Sequence, residues 1–152
     1  MKIKKTIFKD LLIINNQKFS DDRREFRELL IEKNIKIRFP FNVMSISRKN
    51  VIRGLHYQLN KPQGKFISVL KGEILDVVVD IRKNSKTFGK QFKTILSAKN
   101  CKSIFIPGGF AHGFSCFGKE NVVIYSCTKY RNPSGERGIL WNDETLNIDW
   151  KI

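Results

Sequence analysis

The stretch FISVLKGEILDVVVDI, residues 66–81, sets the class of fold. It holds two runs rich in Ile, Val, Leu and Phe, parted by a single glycine at position 72. β-Branched and aromatic side chains suit the pleated surface of a strand, and a glycine between two such runs marks a turn. Working outward, IKIRFPF (35–41) alternates apolar and polar residues, SIFI (103–106) is a short apolar run, and NVVIYSCTKY (121–130) continues the strand pattern. Pro-Gly-Gly at 107–109 and Asn-Pro-Ser-Gly at 132–135 read as turns. One segment predicts a helix: Asp22 is placed to cap it, Glu25 sits at the capping-box offset, and Phe26, Leu29 and Leu30 share a face. Many short strands with one short helix point to an all-β sandwich or barrel rather than alternating βαβ units. No GxGxxG follows a strand and no GxxxxGK[ST] occurs, which argues against a Rossmann cofactor site or a P-loop.

The 152 residues carry no repeat, linker or low-complexity segment, so a single domain spanning 1–152 is expected. The formal net charge of +15 favours an anionic partner, whether nucleic acid, anionic lipid or a phosphate-bearing metabolite. The basic residues are scattered along the chain rather than gathered in a tail. A nucleic-acid binder would interleave basic residues and aromatics on one face, and the aromatics here fall mostly inside strand and turn motifs, so no nucleic-acid partner is expected. No apolar run approaches the ~20 residues of a membrane helix, so no membrane span is expected. The start, MKIKKTIFKDLLII, is basic and then apolar, but Lys9 and Asp10 interrupt it and no small-residue cleavage site follows. It does not read as a signal peptide, and a cytoplasmic address is the expectation. The three cysteines, Cys101, Cys116 and Cys127, are odd in number and lack CxxC spacing, which predicts buried thiols rather than disulfides or a zinc site.

Only two histidines occur, and both keep unusual company. His56 lies in NVIRGLHYQ (50–58) beside Arg53, and His112 lies in IPGGFAHGF (106–114) among glycines and phenylalanines. On a regular strand Arg53 and His56 would face opposite sides, whereas a bulge at Gly54 would re-aim one of them. There is no HxH pair and no third histidine, so a His-rich metal site cannot be built; two His with one carboxylate is the arithmetic remainder. A neutral imidazole with a reference pKa of ~6.5 accepts a proton at physiological pH. Removing a proton beside a carbonyl needs such a base, a cation for the developing enolate, and an acid on the opposite face. Lys65 in PQGKF and Tyr125 in VIYSC are available for those two roles, though in isolation they read as a surface lysine and a core tyrosine.

The segments RGLHYQ (53–58), QGKFISVLKGEILDVVVDIR (63–82), IPGGFAHGF (106–114) and YSCTKYRNPSGERGILWND (125–143) closely resemble, in order, the dTDP-4-dehydrorhamnose 3,5-epimerase family. The resemblance covers roughly the segment from Arg53 to Trp150. It implies a cupin-type jelly-roll β-barrel with one or two short helices, a homodimer, and no metal or organic cofactor. It also implies epimerisation of a nucleotide-linked 4-keto-6-deoxy sugar at C3 and C5, the carbons flanking the ketone. By the same resemblance His56 matches the catalytic base, Tyr125 the acid on the other face, and Lys65 the cation near the keto oxygen. His112 and Asp76 match a buried supporting pair. Arg53 matches a residue that holds the diphosphate, and Gln58, closing RGLHYQ, is grouped with it as substrate-binding.

The N-terminal part departs further from the family pattern. DDRREF (21–26) resembles the family's Asp-x-Arg-Gly-x-Phe segment, whose Arg reaches a diphosphate, often across the dimer; Arg23 is kept and Arg24 replaces the glycine. That segment is extended in the family, in conflict with the helix predicted from Asp22. Where the family carries Gln-Asp-Asn and then Ser-x-Ser, this chain has Phe41-Asn42-Val43 followed by Ser45 and Ser47. Family members usually continue beyond the Asp-Trp pair seen here as Asp149-Trp150, into a segment whose Asp hydrogen-bonds the catalytic His. The sequence ends at Ile152. Three readings therefore stay open at the level of sequence: a 3,5-epimerase, a 3- or 5-mono-epimerase of a GDP- or dTDP-linked 4-keto sugar, and a silent sugar-nucleotide-binding barrel. Retention of a base, a cation and an acid together favours an enzyme, because binding alone needs no base.

Overall fold

A computed structural model describes residues Met1–Ile152. In chain order its elements are β1 (Lys2–Lys5), β2 (Leu12–Asn15), β3 (Lys18–Asp21), β4 (Arg24–Arg27), α1 (Glu32–Ile35), β5 (Phe41–Arg48), β6 (Ile52–Gln58) and β7 (Lys65–Lys71). There follow β8 (Glu73–Asp80), β9 (Gln91–Ser97), β10 (Lys102–Ile106), β11 (Phe110–Cys116), β12 (Glu120–Cys127) and, after a 3-10 turn at Pro133–Gly135, β13 (Glu136–Gly138). No helix is long and apolar enough to cross a membrane.

The strands form a six-stranded sheet in the order β1-β2-β10-β7-β12-β5 and a five-stranded sheet in the order β13-β6-β11-β8-β9, all pairs antiparallel. The inner faces share one core: Ile67, Val69, Ile104 and Val123 from the first sheet meet Ile74, Val78, Phe110 and Phe114 from the second. Each sheet is covered outside as well. Ile148 and Trp150 of the C-terminal segment lie on Leu55, Leu75, Val77 and Val79 of the five-stranded sheet. Phe39 lies against Ile14, Phe66 and Phe105 of the six-stranded sheet. This double cover explains why β8 reads as an almost unbroken apolar run: its alternate side chains enter two different cores, and seven of its eight residues are buried. The run that opened the sequence reading is therefore the middle layer of the molecule.

Two predicted elements take other forms. The helix predicted from Asp22 is a hairpin instead, with β3 paired to β4 and Phe19 opposite Phe26. Arg24 sits at φ 101°, outside helical backbone, in a region that favours glycine. Arg27 then fastens the hairpin to the barrel by donating to the carbonyls of Val69 (2.7 Å) and Ala98 (3.2 Å). The extended form implied by the resemblance is the one adopted. The strand predicted over 35–41 is replaced by the end of α1 and a loop, and β5 starts only at Phe41. Pro40 has no N–H to give to a sheet, and Lys36 adopts left-handed backbone at the helix end. All three cysteines are free and buried, as their spacing predicts.

Candidate active site

Between the two sheets lies a cavity of about 650 Å³, into which the base, acid and cation named from the sequence all project. His56 is placed by β6, where it pairs directly with His112 of β11. Two residues on, the register shifts, so that Arg53 faces Phe114 rather than the residue a regular ladder would set against it. That irregularity turns Arg53 and His56 to the same cavity despite their odd separation. It depends on two glycines meeting without side chains: a Cβ on Gly54, at φ +120°, would lie 2.5 Å from the Gly113 Cα. Arg53 is then braced by the Ser47 hydroxyl, 2.7 Å from its Nε, and by the Ile46 carbonyl, 3.2 Å from its Nη2.

The opposite wall belongs to the six-stranded sheet. Tyr125 of β12 and Lys65 of β7 point inward from it, and the Tyr125 hydroxyl lies 3.1 Å from the Ser45 hydroxyl of β5. Behind His56, Asp76 of β8 is wholly buried, with one carboxylate oxygen 2.8 Å from His112 Nε2. Its second oxygen, Oδ1, has no hydrogen-bond partner within the protein. A buried carboxylate left half-satisfied is costly and is characteristic of functional sites.

The environment drives the pKa values of His56 and Tyr125 in opposite directions. Burial, then the nearby Lys65 and His112, hold the His56 pKa below its ordinary value, so the imidazole is neutral near pH 7. Burial pushes the Tyr125 phenol up to about 12, against a smaller opposing pull from the Ser45 hydrogen bond, so it stays protonated. Burial likewise lowers the Lys65 pKa, while Cys127 and Asp76 pull it back. Titratable groups pushed apart in this way separate a base from an acid at one pH.

Of the residues singled out from the sequence, Arg53, His56, Gln58, Lys65, His112 and Tyr125 all line the cavity, and Asp76 lies directly behind it. Gln58 has both ends of its amide engaged with backbone: Nε2 donates to the Lys61 carbonyl, and Oε1 accepts from the Asn132 N–H. Arg23 is elsewhere. It projects from the tip of the β3–β4 hairpin, 91% exposed and paired with Asp21, away from the cavity of its own chain. The sequence reading missed Arg131, Glu136 and Arg137, which also line the cavity. They flank a turn without periodic pattern, and only their place inside YSCTKYRNPSGERG hinted at a role. No group of three or more His, Cys, Asp or Glu side chains converges to hold a metal ion.

Comparison with known proteins gives this geometry its family. The dTDP-4-dehydrorhamnose 3,5-epimerase family model matches residues 5–152. A dTDP-4-dehydrorhamnose 3,5-epimerase from Methanothermobacter thermautotrophicus is 41% identical over 97% of this chain and 83% of its own. A dTDP-6-deoxy-D-glucose-3,5-epimerase from Legionella pneumophila, solved with dTDP-4-keto-L-rhamnose, superposes with a TM-score of 0.93 at 42% identity, covering 98% of this chain and 82% of its own. A Bacillus anthracis dTDP-4-dehydrorhamnose 3,5-epimerase with TDP and PPi bound gives a TM-score of 0.95 at 37% identity, over 99% of this chain and 90% of its own. Fold and cavity together are those of a carbohydrate isomerase built on a cupin-type β-barrel. The chain belongs to the dTDP-4-dehydrorhamnose 3,5-epimerase family, and it is an epimerase.

Proposed function

We propose that the cavity binds a dTDP-linked 4-keto-6-deoxy sugar between the sheets and inverts it at C3 and C5, with His56 as base and Tyr125 as acid. The observation that carries this reading is their placement on opposed walls with opposite proton affinities. His56 takes the proton from the carbon beside the ketone, and the C–H electrons move into the ring to leave an enolate on the C4 oxygen. Lys65 supplies positive charge to that oxygen. Tyr125 gives its phenolic proton to the same carbon from the other face, and the ketone re-forms. Solvent then restores the proton on Tyr125 and removes the one on His56. Because a ketone at C4 acidifies both neighbours, one base serves C3 and C5 if the sugar shifts between steps.

The His112–Asp76 pair shapes the wall behind the base, and Arg53 offers a planar fork for diphosphate oxygens. Gln58, held by backbone at both ends, keeps the rim of the nucleotide side in place. Arg23 contributes across a homodimer, its hairpin reaching the cavity of a second copy. The exposed ring pair Phe19–Phe26 on that hairpin, 6.2 Å between centroids, supports burial against such a partner. The chain works as one domain: strands from its first residues join the six-stranded sheet, and its last residues cover the other. Three buried free thiols fit a cytoplasmic address.

The test is to incubate the protein with the dTDP-4-keto-6-deoxy sugar in deuterated water and follow label into the ring. Label at both C3 and C5 is expected. Label at one carbon makes the protein a mono-epimerase, and no exchange with dTDP- or GDP-linked donors leaves a silent binder. His56→Asn is expected to abolish exchange while nucleotide binding persists; continued exchange in that variant removes His56 as the base.

A further inference from the structure

Ser45 and Ser47 lie on one face of β5, the edge strand of the six-stranded sheet, and both hydroxyls turn toward the cavity side. Ser47 accepts from Arg53, whereas the Ser45 side chain has one partner, the Tyr125 phenol at 3.1 Å. The strands on either side of Tyr125 bring no other hydroxyl or amide to it. Val43 of β5 and Ile67 of β7 stand directly opposite. Its diagonal neighbours are Phe41 and Ser45 on β5, and Lys65 and Val69 on β7. From the other sheet the Phe114 ring tilts against the Tyr125 ring, with centroids 6.3 Å apart. Of these neighbours only Ser45 and Lys65 have a side chain able to hydrogen-bond. Between a hydroxyl and a phenol either oxygen can donate. With Tyr125 as donor, its proton would be held against β5 and away from the substrate carbon. With Ser45 as donor, the phenolic proton is free to turn into the cavity, where the reaction uses it.

We propose that Ser45 is the positioning residue for Tyr125: its hydroxyl donates to the phenolic oxygen, aims the phenolic proton into the cavity, and stabilises the phenolate left when that proton is given up. This rests on the reading of Tyr125 as the acid. As the enolate is protonated, the Tyr125 O–H bond breaks, a C–H bond forms, and the negative charge passes to the phenolic oxygen. Ser45 keeps its own proton throughout, and solvent reprotonates the phenol. A hydrogen bond that strengthens as charge develops acts on the transition state more than on the ground state. The phenol is otherwise poorly provided for. Burial raises its pKa most, and the Ser45 hydrogen bond is the largest influence opposing that rise. Arg53 acts in the same direction as Ser45, while Asp76 and Cys116 act with burial.

The experiment runs the deuterated-water assay on the full chain carrying Ser45→Ala, Ser45→Thr or Ser45→Val, and follows inversion and label uptake at the same carbon separately. Ser45→Ala is expected to lower kcat for inversion about tenfold or more with KM little changed. Exchange without inversion should persist, because His56 still removes the proton and can return one to the same face. Ser45→Thr keeps the hydroxyl and is expected to recover most of the rate; Ser45→Val, of nearly the same shape, is not. In a Tyr125→Phe background, Ser45→Ala is expected to cause no further loss of exchange. A merely structural serine would lower exchange and inversion together and would not tell threonine from valine. Either of those results, full inversion in Ser45→Ala, or a further loss in the Tyr125→Phe background overturns the proposal. If Ser45→Ala does not fold, the threonine and valine variants decide, since β-branched side chains suit a strand. Failure of the acid reading is separate, since it appears as inversion persisting in Tyr125→Phe.

Discussion

His56 and Tyr125 line one cavity from opposed sheets, and burial holds the imidazole pKa down and the phenol pKa up. With the His56 pKa held below 6.5, the neutral imidazole that the proposed mechanism needs is lost only as pH falls through that lowered value. The acid limb of kcat/KM is therefore expected with a midpoint below ~6.5, and the alkaline limb below the ordinary ~10.4 of lysine, since burial also lowers Lys65. Steady-state rates from pH 5 to 10 check both; an acid midpoint above 6.5 contradicts the environment described for His56. Tyr125→Phe is expected to cut inversion by ~100-fold or more. The substrate C–H should still exchange with solvent, because the base can return a proton to the face it came from. Loss of exchange together with inversion would mean that Tyr125 does more than donate. The residue types for this chemistry were legible in RGLHYQ, PQGKF and VIYSC. Their proton affinities were not, because burial in the cavity is set by β11 and β12, which pair with β6 and β7 from far along the chain.

At the scale of elements, the deciding feature is the irregular pairing of β6 with β11. A regular β6 would send Arg53 and His56 to opposite sides, and the site would lose one of them. Gly54 permits the irregularity, with its left-handed backbone and its approach to Gly113 and the His112 carbonyl. Gly54→Ala is expected to destabilise the protein by about 3 kcal/mol, from strained backbone plus overpacking. It should also cost activity even where the fold survives, by displacing His56 and Arg53. Denaturant unfolding and the exchange assay measure the two effects, and full activity in a stable variant would show that the shift is not needed. Gly113 is as tight, since a Cβ there would lie 2.7 Å from the Arg53 carbonyl oxygen and 3.2 Å from both the Gly54 Cα and the Trp150 ring. The sequence placed a possible bulge at Gly54 but left it beside the regular strand as an alternative, since the answer lies in Gly113, far along the chain. It misread the β3–β4 hairpin for a related reason. Capping signals at Asp22 and Glu25 are local, while Arg27 anchors to carbonyls on β7 and beyond β9.

Across the whole molecule, the cavity of one chain contains His56, Tyr125 and Lys65 but not Arg23, which stands exposed on the hairpin. Light scattering is expected to give the mass of a dimer, about twice 17.7 kDa. Arg23→Ala is expected to raise KM about tenfold through loss of a charge-assisted contact. Mixed dimers of Arg23→Ala with His56→Asn should regain one intact site, with His56 from one chain and Arg23 from the other. A monomer in solution, or mixing without recovery, would confine the site to one chain.

The sequence by itself determined the β-rich class, through paired apolar runs about Gly72, and the reacting residue types, through motifs each contained in a few consecutive residues. Only the tertiary structure decided which residues share the cavity, that β8 is buried on both faces, and that Arg131 and Glu136 line the same cavity as His56. Local patterns record what a residue prefers. Proton affinity, register and burial depend on neighbours that antiparallel pairing brings from far along the chain.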